Sequence, residues 1–116
     1  MIDLVRGAIV IVKDALDPQG QNPKDRPAIV LSKDCSKDAV VVVYITGEFD
    51  KPLPPEQVAL RWAKDGNSLT GLTKASVAVC TWHESVLKNR ILRRIGYCND
   101  YTQSAIIDML KIILRG

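Results

Sequence analysis

The chain has 116 residues, 47% of them hydrophobic and 25% charged, which suits one domain spanning 1–116 with a single core. A net charge of +3 and a pI near 8.8 permit an anionic partner without demanding one. No stretch approaches the roughly 20 apolar residues of a membrane span, and Met1-Ile2-Asp3-Leu4 lacks the basic start and apolar run of a secretory signal, so a cytoplasmic protein is expected.

Residues 5–13 are β-branched and apolar and suit a buried strand. A polar loop follows from Asp14 to Asp25, with Asp17-Pro18-Gln19-Gly20-Gln21-Asn22-Pro23 at its centre. Residues 27–32 read as a second strand, opened by Pro27, and Lys33 to Asp38 as a polar turn. Residues 39–46 are almost pure valine, apolar on both faces, as in a strand at a barrel centre or under a partner subunit.

Gly47 to Pro55 carries three prolines and is excluded as a central strand. Gln57 to Ala63 reads as a shorter strand with Val58, Leu60 and Trp62 on one face, and Lys64 to Ser68 as a turn. Residues 76–86 and Arg90 to Cys98 complete the strands. Asn99 or Asp100 caps a closing helix. With Asp100 as N-cap, Gln103 falls at the third helical position of a capping box. Ile106, Met109, Leu110 and Ile113 then recur on one face. Short strands closed by one helix predict a small, strongly bent β-barrel.

Cys35, Cys80 and Cys98 show no C-x-x-C spacing, so buried reduced thiols are expected rather than a metal or redox site. Neither carboxylates nor His and Cys cluster at ligand spacing, and no cofactor is implied.

The most informative segment is Arg26-Pro27-Ala28-Ile29-Val30-Leu31-Ser32. The residue before a proline is held extended by steric clash. Arg26 is thus a permanently charged fork on a stiffened backbone, a clamp suited to phosphate or carboxylate.

The order of these motifs, Arg6-Gly7-Ala8-Ile9-Val10, Arg26-Pro27-Ala28, Val40 to Thr46, Ser76-Val77-Ala78-Val79-Cys80, Arg93-Arg94-Ile95-Gly96 and a last helix, resembles the MazF/PemK/Kid family of toxin endoribonucleases. The resemblance covers nearly the whole chain and is weakest between Gly47 and Gly71. It implies an SH3-like barrel with a C-terminal helix, a homodimer, and a cognate antitoxin with an acidic tail. The implied activity is metal-independent cleavage of single-stranded RNA. The RNA's own 2′-hydroxyl attacks the adjacent phosphate, which requires a base, an acid and positive charge facing the phosphorane.

Arg26 matches the family's catalytic arginine, and Thr46 its threonine, whose hydroxyl can hold the scissile phosphate; Thr46 also reads simply as a β-favouring strand end. Two acidic family positions are neutral in this chain. Gln21 stands five residues before the arginine, and Thr81 follows Cys80. His83, the single histidine, is a candidate replacement base if strand alternation sets it in the groove beside Val77, Val79 and Thr81. The alternative is a hydrogen-bonded structural histidine. Gln21, Asn22, Lys24, Thr81 and Trp82 are the expected RNA contacts, Trp82 as a stacking platform unless the core or a dimer interface takes it. Lys88, Arg90, Arg93 and Arg94 read as a solvated face or a backbone track. With both acids lost, the competing reading is a non-cleaving module that holds RNA or inhibits a protein target.

Overall fold

A computed structural model describes residues 4–34 and 38–115, with Asp34 described in its backbone only. Cys35, the middle of the turn expected at Lys33 to Asp38, and Met1 to Asp3 lie outside the described residues. The elements are β1 (Ala8–Ala15), β2 (Lys24–Asp34), β3 (Ala39–Thr46), β4 (Gln57–Ala59), β5 (Val77–Leu87), β6 (Ile91–Tyr97) and α1 (Asp100–Leu114). All strands join one antiparallel sheet in the order β4-β5-β3-β2-β1-β6.

The apolar runs along β1, β2 and β3 follow from burial on both faces. On one face, Ile9, Ile29, Val43 and Ile45 pack with Ile106, Met109, Leu110 and Ile113 of α1. On the other, Val10, Val30, Val42 and Tyr44 share a core with Val86 of β5 and Ile91 of β6. Those two strands are not hydrogen-bonded neighbours, so their meeting in one core shows the sheet coiled on itself. The architecture is the expected small barrel with a C-terminal helix, with β4 and β6 as its edges.

Four local expectations are corrected. β2 begins at Lys24, so Pro27 lies inside the strand, opposite Ile11. The β3 ladder starts only at Ala28, leaving this stretch of β2 an edge on that side, where a residue without an N–H is tolerated. β4 stops at Ala59, because the chain turns through Ala63 and Gly66; Leu60 is buried, but Trp62 is about half exposed. Of the two expected caps the helix uses Asn99, whose side chain accepts from Thr102 N at 2.8 Å, so the capping box on Asp100 does not form and Gln103 instead donates to Cys98 O. Strand alternation also fails along β5. Val43 pairs with His83 but Ile45 with Ala78, so a bulge between them sends Trp82 to the face opposite Ala78 and Cys80.

Cys80 and Cys98 are buried and unbridged, and burial pushes both thiols up to about 11, which keeps them protonated and unreactive at neutral pH. No described helix is long and apolar enough to cross a membrane.

The segment after β4 is tied to β6 by Tyr97 N donating to Leu69 O at 2.8 Å. The two backbones touch at Gly96, where a Cβ would lie 2.3 Å from Leu69 O and 2.4 Å from Thr70. Gly96→Ala is expected to cost about 1–3 kcal/mol through this overpacking. Denaturant melts should show the loss, and a variant as stable as the parent would remove the close approach from the account.

Candidate functional site

Arg26 sits where β1 and β2 diverge. Val12 pairs with Arg26 and Ala15 with Lys24, so β1 carries one extra residue, and Asp14 takes a left-handed conformation (φ 52°) within that bulge. Arg26 Nε donates to Ala15 O at 2.8 Å.

The loop following β1 is ordered by one carboxylate. Asp17 accepts from Gln19 N (3.0 Å), Gln21 N (2.8 Å) and Asn22 Nδ2 (2.8 Å), while its own N–H donates to Gln21 O. Asn22 adopts φ 54°, a conformation that asparagine tolerates. Its carbonyl then accepts from Arg26 Nη2 at 2.7 Å.

Two neutral carbonyls therefore orient Arg26, and among the described residues no carboxylate forms an ion pair with it. A guanidinium has five N–H donors, so three remain after these two. The plane also lies over Trp82, 5.4 Å from the ring centroid, a cation–π contact. Trp82 is backed by Tyr44 (centroids 4.8 Å apart), whose hydroxyl donates to Glu84. Arg90 approaches Glu84 at 3.8 Å and donates to the carbonyls of Lys13 and Asp14, reaching back to the β1 bulge.

Thr46 ends β3 on the same face as Tyr44. Its hydroxyl oxygen accepts from Glu48 N at 3.1 Å, and its own proton has only a long 3.5 Å contact with Glu48 O, so it is free to donate elsewhere. A cavity of about 480 Å³ is lined by Asn22, Lys24, Arg26, Thr46 and Trp82, five of the eight residues expected from the sequence. A second, of about 350 Å³, opens on the other side of the same strand ends, lined by Ile11, Ile45, Leu72 and Lys74 among others. Four residues line both: Lys24, Arg26, Thr46 and Glu48. Two cations, a hydroxyl donor and a carboxylate thus meet at the junction.

Gln21, Thr81 and His83 do not line either cavity. Gln21 gives its backbone to the Asp17 turn, and Thr81 is exposed on the β5 bulge. His83 pairs with Val43, whose side chain is in the helix-side core, so it stands across the sheet from Trp82 and Arg26. Its Nδ1 lies 3.1 Å from Cys80 O, an acceptor, and so carries the proton there. Of the basic run, Arg90 and Lys88 are engaged with Glu84 and Asp38, and Arg94 lies 4.7 Å over the Tyr97 ring.

Asp17, Glu48 and Gln57 also line the first cavity and were not anticipated from sequence. Gln57 Oε1 is buried without a hydrogen-bond partner among the described residues. The signal for Glu48 was its place two residues past Thr46; Gln57 carried none beyond being polar in a strand.

Residues 5–114 match the family model described as PemK-like, MazF-like toxin of type II toxin–antitoxin system. A search of curated proteins found no match. Among solved structures, an endoribonuclease from a mycobacterial species is 18% identical, with 99% of this chain and 95% of that one covered and a TM-score of 0.69. MazF from Deinococcus radiodurans is 13% identical over 100% and 99% of the two chains, with a TM-score of 0.73. A mycobacterial endoribonuclease in complex with its cognate antitoxin is 18% identical over 96% and 94%, with a TM-score of 0.67. At such identities these likenesses establish the shared fold.

The hydrogen bonds from Gln21 and Asn22 hold Asp17 below its ordinary value of 3.8. A depressed carboxylate contributes its order above the unfolded value and loses it as pH falls through the folded one. The loop should therefore persist on acidification through 3.8 and loosen only below it. Amide shifts of Gln19 and Gln21 in an NMR titration should move together in that lower range; a transition above 3.8 would contradict the turn.

Proposed function

Because the chain belongs to the PemK-like, MazF-like toxins of type II toxin–antitoxin systems, we propose that it cleaves single-stranded RNA at a short sequence, by attack of the 2′-hydroxyl on the neighbouring phosphate. The observation that carries this reading is the set of four residues shared by the two cavities. An RNA strand passing from one cavity to the other sets a phosphate at their junction, with a nucleotide on either side.

The attacking 2′ oxygen forms a bond to phosphorus while the bond to the 5′ oxygen breaks, leaving a 2′,3′-cyclic phosphate and a 5′-hydroxyl. Arg26 faces the phosphorane with the N–H groups that Ala15 and Asn22 leave unused, and its charge stabilises the departing oxygen. Being held by neutral groups, it keeps its full charge for the phosphate. Thr46 donates its hydroxyl to a non-bridging oxygen, and Lys24 adds a second cation. These groups supply the charge stabilisation that a metal supplies in other nucleases, so cleavage continues in EDTA. Trp82, with one face under Arg26, holds the guanidinium as well as offering its edge to a base.

The protein acts as a homodimer in the cytoplasm, restrained by a cognate antitoxin and arresting growth when released. The antitoxin complex of the similar mycobacterial endoribonuclease supports such a partner. Exposed Leu87, Leu92, Ile112 and Leu114 offer apolar surface for a second copy or an antitoxin.

A second reading, a binder that retains RNA without cutting it, is favoured by Gln21 and Thr81 at the two acidic family positions. Incubation of the protein with long single-stranded RNA in EDTA separates the two: fragments ending in cyclic phosphate support the nuclease, retained but intact RNA the binder. In the nuclease reading Arg26→Ala lowers the cleavage rate by at least about 10²–10³-fold and abolishes growth arrest, with the melting profile preserved. An Arg26→Ala variant as toxic as the parent would overturn the mechanism.

A further inference from the structure

Attack by a 2′-hydroxyl needs an acceptor for its proton, and the residues expected to supply one do not stand at the junction. Gln21 and Thr81 have amide and hydroxyl side chains, which are not bases at neutral pH. His83 is across the sheet, with Nδ1 held by Cys80 O. Only two carboxylates line the first cavity, Asp17 and Glu48. Asp17 accepts three hydrogen bonds from its own loop, and its pKa is held down by them, which makes it a poor proton acceptor. The second cavity adds Asp25, which accepts from Asp14 N at 3.3 Å in the β1 bulge, and again Glu48.

We propose that Glu48 is the general base of the reaction, an inference that rests on the nuclease reading above. Glu48 alone among these carboxylates lines both cavities, and its carboxylate has no hydrogen bond or ion pair among the described residues. Its position is set locally. Glu48 N donates to the Thr46 hydroxyl, so the group that takes the 2′ proton is fixed to the group that holds the phosphate. A Cβ at Gly47 between them would meet the end of the Lys74 side chain, 2.7 Å from its Cε and 3.0 Å from its Nζ. Lys74 thus lies across the turn on the second-cavity side.

The proton balance closes without a further reactant. Glu48 accepts the 2′ proton as the bond from the 2′ oxygen to phosphorus forms. The 5′ oxygen leaves facing the Arg26 guanidinium and takes its proton from solvent water as its bond to phosphorus breaks. The hydroxide so formed takes the proton from Glu48, which returns to its starting charge, and no water is consumed.

The test compares the parent with Glu48→Gln, Glu48→Asp and His83→Gln, using the full chain and single-stranded RNA in EDTA. Affinity is measured in parallel on a 2′-fluoro RNA oligonucleotide, which has no 2′-hydroxyl and cannot be cut. Glu48→Gln should lose about 10²–10⁴-fold in cleavage rate while binding the fluoro oligonucleotide as tightly as the parent or more so. Glu48→Asp should cut at an intermediate rate, and His83→Gln like the parent. A Glu48→Gln variant that cuts at the parental rate, or one whose rate falls only in step with its affinity, overturns the assignment and leaves the nuclease reading standing. Loss of cutting in His83→Gln with Glu48→Gln intact moves the base elsewhere and overturns it equally. A parent that binds RNA without cutting it overturns both.

Discussion

The site depends on how one guanidinium is held. Arg26 is gripped by the carbonyls of Ala15 and Asn22 and covered on one side by Trp82, and none of these neutralises it. An ion pair would have oriented the side chain as firmly while cancelling the charge that a phosphate needs. Neutral acceptors separate the two effects: geometry is fixed, and the field remains.

Each of those supports is a product of the barrel. The extra residue in β1 is associated with Ala15 facing Lys24, next to Arg26, and Arg90 of the turn before β6 is bonded to the carbonyls of that bulge. Asn22 is set by Asp17, a carboxylate used for loop construction. Trp82 reaches the site because β5 bulges opposite Val43 to Ile45 and turns it onto Tyr44. Tyr44 has its phenol proton held firmly, since burial and the neighbouring Glu84 both raise its pKa. The Tyr44–Glu84–Arg90 connection therefore links the wall of the cavity to the bulge that holds Arg26. Thr46 and Glu48 come from the other side, as the end of β3 and the turn after it.

Much of this was legible before any coordinates. The valine run of β3, the β-branched β1 and the capped aliphatic helix declare themselves by composition and period. Arg26 is marked by the proline that follows it, whereas Thr46 stands out only through the family resemblance, its strand end by itself being ordinary β preference. The residues that reasoning misplaced are those whose position depends on a pairing partner. His83 lies on an unbroken alternation in sequence, but a bulge depends on the register against β3, which period two does not encode. Pro27 looked like a strand start because the absence of a β3 partner there is a property of the sheet. Asp17 and Glu48 are acids in polar segments whose roles the folded loops separate: Asp17 is hydrogen-bonded by its own turn, and the Glu48 carboxylate has no hydrogen bond or ion pair among the described residues. The acidic positions that had gone neutral were visible, but their replacement was not, because it comes from a different strand end.

The central claim is that a phosphodiester meets Arg26 and Thr46 at the junction of the two cavities. A crystal structure of the protein with an uncuttable 2′-fluoro RNA oligonucleotide tests it most directly. The account predicts a phosphate accepting from Arg26 Nη1 and from the Thr46 hydroxyl, with the bonds to Ala15 O and Asn22 O intact. RNA lying on another surface, or Arg26 swung away from those two carbonyls to reach it, would contradict the account.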